Sequence, residues 1–375
     1  MHLLFYSDGR CHFTLGYPTI FVQCGVTHKI EGFFELRNKG VSVPGSEPLP
    51  SCHGMSENGT VSDFCPVTFS EYANIMTPNA EKGYQTMTYQ IITDATADLN
   101  EELLAGLPEV QIIPMHVAVG CKEYLFGPGG NIDCEEFYGY LRSGQFASTT
   151  QINPEVYREH FEAILKQGKD VLYLCFSSGL SGTIQSAKIA ISELQEEYPH
   201  RTILCLDTLC AAVGEGLFVM EAARKQAQGM DIHTLYSWLE AHRLNLCHWV
   251  TVDTFDHLKH GGRVSATSAA MGTILGIKPL IHVDENGKLV AVGKPRGKKK
   301  ALEALLSSME KGWLPEISRQ VIIGHGDSLE IAVELRSMVA ARFPDAEIHI
   351  APIGPVIGAH AGPGVMTVFF WGSNH

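Results

Sequence analysis

Hydroxyl side chains gather in several short loops of this chain, and one run carries the most chemistry: Phe176–Thr183 reads FSSGLSGT. It ends an apolar stretch, Val171–Phe176, and opens into a helical pattern from Ile184. A Ser- and Gly-rich loop at a helix start turns backbone N–H groups and hydroxyls towards one point at the positive end of the helix dipole, a place that suits an anionic head group. Ser181 in this loop admits three readings: anion ligand, helix cap or nucleophile. The pentapeptide Gly179–Thr183 is not G-x-S-x-G, because its fifth residue is Thr, and a nucleophile also needs a base that spacing alone cannot supply.

Other segments repeat the theme. STTQ at 148–151 places Thr149 and Thr150 before the helix start Asn153-Pro154. In FDHLKHGGRV, 255–264, the pair Gly261-Gly262 offers a backbone bare enough to approach another element closely, with Arg263 either entering a cleft or lying at the surface. In IGPVIGAHAGPG, 353–364, two Gly-Pro pairs and four Gly shape the backbone around His360, read as a loop tucked against another element. That His is either a buried structural residue or a donor to an anion or hydroxyl. No second ligand stands at metal spacing beside it, so no metal site is expected. KPRGKKK at 294–300 reads as a solvated basic face, and nothing fits a P-loop.

Composition narrows the classes. The chain has 375 residues, 45% hydrophobic and 18% charged, enough for two or three domains with real cores. A net charge of −13 disfavours a nucleic-acid or anionic-membrane binder. Ten Cys without C-x-x-C spacing fit reduced thiols in the cytoplasm better than a disulfide framework or a zinc site. Neither a secretory signal in residues 1–10 nor an apolar run long enough to span a bilayer is visible.

The elements that must position these residues begin abruptly. Residues 1–86 are broken by Pro and Gly and lack helical period, so a disordered or spurious N-terminal extension is expected there. From Met87 strands and helices alternate. Strand patterns fall at Tyr89–Thr93, Val110–Val117, Val171–Phe176 and Thr202–Leu206. Helices are expected from the cap Asp98, from the capping box Asp133/Glu136, from Asn153-Pro154, at Ile184–Tyr198 and at Glu215–Gln228. This alternation implies an α/β domain over 87–238, with a parallel sheet covered on both faces and a ligand at the carboxyl ends of its strands. DAT at 94–96, FSSGLSGT and DTLCA at 207–211 lie in that layer. From about residue 239 to 375 strands crowd closer, with a hairpin turn at Asn286-Gly287 and two helices, which reads as an α+β domain with a mostly antiparallel or mixed sheet.

Taken in order, TDATADL at 93–99, STTQINPE at 148–155, FSSGLSGTIQSA at 176–187, DT at 207–208, FDHLKHGGRVS at 255–265, GIKPL at 276–280 and IGAHAGPG at 357–364 resemble the DegV family over essentially all of 87–375. The resemblance implies a two-domain, Rossmann-like fold with a long-chain fatty acid held between the domains and no other cofactor. It implies a carrier rather than an enzyme, one that presents the carboxylate to a separate fatty-acid kinase catalytic subunit for acyl-phosphate formation and phospholipid synthesis. Thr149, Thr150 and Ser181 would hold the carboxylate, with Ser178, Gly182, Arg263 and His360 supporting the same region. The chain departs from the pattern at Thr150, where Ser is usual, and at Ile184, Ala266 and Ala361, where Tyr, Lys and Thr are common. These positions bear on chain preference and partner contacts more than on the head group. A serine hydrolase using Ser181 and a lipid-sensing regulator are the alternatives.

Overall fold

The computed structural model describes residues 88–264 and 276–373, together with the backbone of three short strands near the start. Those strands, β1 (Leu3–Phe5), β2 (Cys11–Phe13) and β3 (Phe21–Val22), pair antiparallel in the order β1-β2-β3 within a first unit, Met1–Pro78. The expected N-terminal extension otherwise lies outside the described residues. The second unit, Asn79–His375, carries everything that follows.

Its first sheet is parallel throughout. β4 (Tyr89–Asp94), β5 (Val110–Ile113), β9 (Asp170–Cys175) and β10 (Ile203–Asp207) stand in the order β10-β9-β4-β5. Every residue of β4 and β9 is buried, as continuous apolar runs in a sheet covered on both faces should be. The chain runs from β4 outward to β5, then returns to the other side of β4 with β9. The reversal opens a crevice at the carboxyl ends of β4 and β9, where such sheets bind ligands.

The expected strand Val110–Val117 is two strands. Pro114 has no N–H and a fixed φ, so pairing with β4 ends at Ile113. The chain then turns into β6 (Met115–Val119), which pairs antiparallel with β7 (Lys122–Phe126) and β8 (Ala147–Thr149) in a small separate sheet. A second correction falls at Asp98. It is not a helix cap: it sits at φ 49°, buried, closing a 3₁₀ turn over Ala95–Ala97, and Asn100 caps the short helix α1 (Glu101–Leu104) instead.

The capping signals further on hold. Asp133 accepts the Glu136 N–H at the start of α2 (Cys134–Arg142), and Asn153 accepts the Val156 N–H at the start of α3 (Pro154–Lys166). α4 (Thr183–Glu197) follows β9, and α5 (Ala212–Ala227) follows β10. α5 is buried from Ala212 to Ala223, because it lies between the parallel sheet and a second sheet. Gly214 faces His248 and Phe369 of that second sheet, while Gly216 faces the carbonyl of Ala97, and a Cβ at either would collide. α6 (Ile232–His242), which the sequence reading missed, leads into the second sheet.

That sheet is mixed. β11 (Leu246–Thr251), β12 (Leu280–Val283), β13 (Leu289–Gly293), β14 (Gln320–His325), β15 (Glu347–Pro352) and β16 (Met366–Trp371) stand in the order β13-β12-β11-β16-β14-β15, parallel only between β14 and β15. α8 (Lys298–Gly312) and α9 (Leu329–Arg342) bury its outer face around Leu305, Leu335 and Phe370. Two short helices complete the unit: α7 (Asp256–His260), and α10 (Pro355–Ala361), which occupies the Gly-Pro segment read as a loop. Pro355 at the first turn of α10 supplies a preset φ and lacks only an N–H that would be unpaired anyway. The fold is thus an α/β unit combining a Rossmann-like parallel sheet with a mixed sheet.

Candidate functional site

A cavity of about 910 Å³ including its mouth lies where the crevice of the parallel sheet meets the mixed sheet. Most of its wall is apolar: Met115 of β6, Val250 of β11, Ile281 and Val283 of β12, Leu289 of β13, Val356 and Ile357 of α10 and Phe369 of β16 all line it. His248 and Thr367 are also there, but their polar atoms serve the backbone. His248 Nε2 accepts the Ala211 N–H, and Thr367 Oγ1 bonds Gly324.

The remaining polar lining residues are Thr96, Thr149, Ser181, Thr183, Arg263 and His360. Thr149 ends β8, and its Oγ1 lies 2.9 Å from His360 Nε2 in α10. His360 in turn lies against Gly261, where a Cβ would collide with its Nδ1. The bare backbone expected from Gly261-Gly262 is therefore used here. Arg263 follows directly: one guanidinium nitrogen donates to the Gly261 carbonyl, and Nε donates to Leu180 O at 3.3 Å, in the FSSGLSGT loop. At the other end of that loop Gly182 sits against the amide of Gln151, from STTQ. Four motifs distant in sequence thus meet around one end of the cavity.

Electrostatics at that end are simple. Burial first, then the charges of Arg263 and His260, push His360 down to about 4, so its imidazole is neutral near pH 7. Burial also lowers Arg263 from the usual guanidinium value, yet leaves it the one Lys or Arg among the described residues lining the cavity. A neutral imidazole, a few hydroxyls and one half-buried cation match a single carboxylate better than a phosphate dianion.

Ser181 stands just ahead of α4, and its Oγ accepts the Thr183 N–H at 3.3 Å. It therefore contributes to the helix start while its own proton remains for a ligand. Among the described residues no base is arranged for it as in a triad: the His360 imidazole is engaged with Thr149. The neighbouring Ser177 is buried and does something else. It donates to Gly287 O at 2.7 Å and accepts the Gly179 N–H, so the β12–β13 hairpin tip docks on this loop.

Thr150, Ser178 and Gly182 do not line the cavity. Side chains alternate along a strand, so with Thr149 inward Thr150 falls on the outside, where it is exposed. Ser178 is exposed, its N–H donating to Asp207. Gly182 is the residue before α4 and meets Gln151 rather than the cavity. Conversely, Thr96 and Thr183 line the cavity without having been singled out. Their motifs, DAT and SGT, are legible at the strand ends, but which hydroxyl faces inward depends on backbone geometry.

The DegV family model, described as an uncharacterised protein family, matches residues 88–372. A DegV domain-containing protein of Clostridium perfringens is 40% identical over 284 residues, 76% of this chain and 97% of that protein. Among solved structures, a DegV family protein from Thermus thermophilus, described by its fatty acid binding, superposes with a TM-score of 0.68 at 28% identity, over 76% of this chain and 100% of that one. The Streptococcus pneumoniae Fatty Acid Kinase B3 protein loaded with linoleic acid shares the fold, with a TM-score of 0.68 at 20% identity over 76% of this chain and 99% of that one.

Proposed function

The chain belongs to the DegV family, and from that premise we propose that it is a cytoplasmic carrier of a long-chain fatty acid. The acyl tail fills the apolar cavity. The carboxylate rests at the end where Thr149, Ser181 and Arg263 converge, with His360 orienting Thr149. The observation that carries this reading is the cavity itself: an apolar wall closing on one cluster of hydroxyls and a single guanidinium. Fatty acid binding by the Thermus thermophilus relative supports it.

The carrier presents its carboxylate to a separate kinase subunit and catalyses nothing itself. What supports this part is the sequence resemblance, together with a head-group site built from hydroxyls. Such donors hold a carboxylate while leaving an oxygen lone pair available to a phosphoryl group. Neither nucleic acid nor membrane insertion enters the proposal: no helix among the described residues is long and apolar enough to cross a membrane.

Native mass spectrometry of the purified protein, followed by solvent extraction, tests the reading. The expected result is a mass addition that dissociates as a long-chain fatty acid. Folded protein that neither carries nor takes up such an acid overturns it. Covalent labelling of Ser181 by a fluorophosphonate would instead favour a hydrolase.

A further inference from the structure

Beneath the head-group end, carboxyls with no part in the proposed function are buried at the strand ends: Asp94 is fully buried at the end of β4, and Glu215 is fully buried in α5. An unbroken run of hydroxyls leads from Asp94 to the cavity. Tyr173 OH donates to Asp94 Oδ2 at 2.7 Å, Tyr157 OH lies 2.8 Å from Tyr173 OH, and Thr183 Oγ1 lies 2.8 Å from Tyr157 OH. Thr183 lines the cavity. On its other side Asp94 meets Thr96, also in the cavity wall, whose hydroxyl lies 2.9 Å from Glu215 Oε2 as well.

The donors do not suffice for two carboxylates. Thr96 has one hydroxyl proton for Asp94 and Glu215, and Thr93 has one for Leu174 O at 3.0 Å and Glu215 Oε1 at 3.2 Å. A proton on Glu215 Oε2, given to Thr96, completes the set and leaves only the 3.2 Å contact unfilled. The other ionisable groups around the pair are Tyr173 and Cys175 on β9, Cys210 before α5 and Asp98 in the 3₁₀ turn, all neutral or anionic. In this state every hydroxyl donates towards Asp94, and Thr183 turns only lone pairs to the cavity.

We infer that Asp94 and Glu215 are positioning residues for the bound head group, acting through the Tyr173–Tyr157–Thr183 run, whose direction of donation reverses with one proton on Asp94. With that proton Asp94 donates to Tyr173, Tyr173 to Tyr157, Tyr157 to Thr183, and Thr183 donates into the cavity. A fatty acid arriving as the neutral acid supplies the proton itself. Its O–H bond breaks as Thr183 accepts, each hydroxyl passes on its own proton, and one O–H bond forms at Asp94 Oδ2. The acid becomes a carboxylate facing a Thr183 donor, and no net charge is added to the interior. Burial raises Asp94, and burial with the neighbouring Asp94 charge raises Glu215, so both hold protons more readily than exposed carboxyls.

This inference rests on the fatty-acid reading, and the test separates the two. Palmitate carrying carbon-13 at its carboxyl is bound to the full chain, and its resonance is followed by NMR against pH. If no bound resonance appears, the fatty-acid reading fails and this inference with it. In the wild type the bound resonance is expected to move in two steps, its own ionisation and that of the Asp94–Glu215 pair. In Tyr173→Phe, and separately in Tyr157→Phe should the first not fold, the second step disappears while the first remains. His360 lines this end from α10 and Arg263 from the loop after α7, with His257 and His260 of α7 nearby, and a step caused by any of them survives both substitutions. A second step that survives, or a wild type with one step only, overturns the inference.

Discussion

His360 titrates far below an exposed histidine, and that fixes an acid limb of stability. It stays neutral in the fold down to about pH 4, whereas in the unfolded chain it takes a proton from 6.5 downward. Its contribution is therefore complete above pH 6.5 and is lost as pH falls towards 4. At pH 5 the loss is about 2 kcal/mol. Urea unfolding at pH 7.5 and pH 5 should show His360→Gln losing less stability between the two than the wild type, by about that amount. Equal losses would mean that this imidazole is not held neutral. In the proposed function Thr149 and Ser181 bear on the ligand instead. Each hydroxyl is worth about 0.5–1.5 kcal/mol to affinity, while misplacing the reacting oxygen by an ångström can cost about a hundredfold in transfer. Thr149→Ala and Ser181→Ala are expected to keep their lipid on gel filtration yet accept phosphate from the kinase at least about tenfold more slowly. Normal transfer by both variants would remove the head-group assignment.

Between elements, the contacts that build the site are approaches only glycine permits. Gly287, at φ +70°, forms the β12–β13 hairpin tip against Ser177, and a Cβ there would collide with the Ser177 hydroxyl. Gly287→Ala should therefore cost about 1–3 kcal/mol in urea unfolding. It should also speed fatty-acid exchange, since Ile281, Val283 and Leu289 on that hairpin wall the cavity. Unchanged exchange would show the hairpin to be scaffold only. The hairpin itself is legible in the sequence, because Asn-Gly between strand patterns has few other uses. So are the caps Asp133 and Asn153 and the buried run of β9, all set by local chemistry. The docking of that hairpin on Ser177 is not legible, since it pairs residues 110 positions apart. Nor is the inward turn of Thr183, or the burial of Asp98 that overrides its value as a cap. Such outcomes depend on which faces the sheets present, and strand periodicity cannot reveal that when both faces are covered.

At the scale of the second unit, what matters is that three sheets of different construction share one cavity, the small sheet adding Met115 and Thr149 to it. The parallel sheet supplies Thr96, Ser181 and Thr183 from its strand ends, and the mixed sheet supplies apolar wall from β11, β12, β13 and β16. In the proposed function head group and tail are handled by separate parts of the fold, and their energies separate too. Burying a methylene is worth about 0.8 kcal/mol, so about eight methylenes outweigh any one hydroxyl contact several times over. Palmitate is accordingly expected to bind more tightly than octanoate by on the order of 10⁴–10⁵-fold. Thr149→Ala should weaken both acids by a similar factor, because the carboxyl contact is common to them. Displacement of a fluorescent fatty acid measures both comparisons. If octanoate and palmitate compete equally, the apolar wall is not what holds the ligand. If Thr149→Ala weakens palmitate alone, head and tail are not independent, and the hydroxyl end shapes the tunnel as well as the carboxylate.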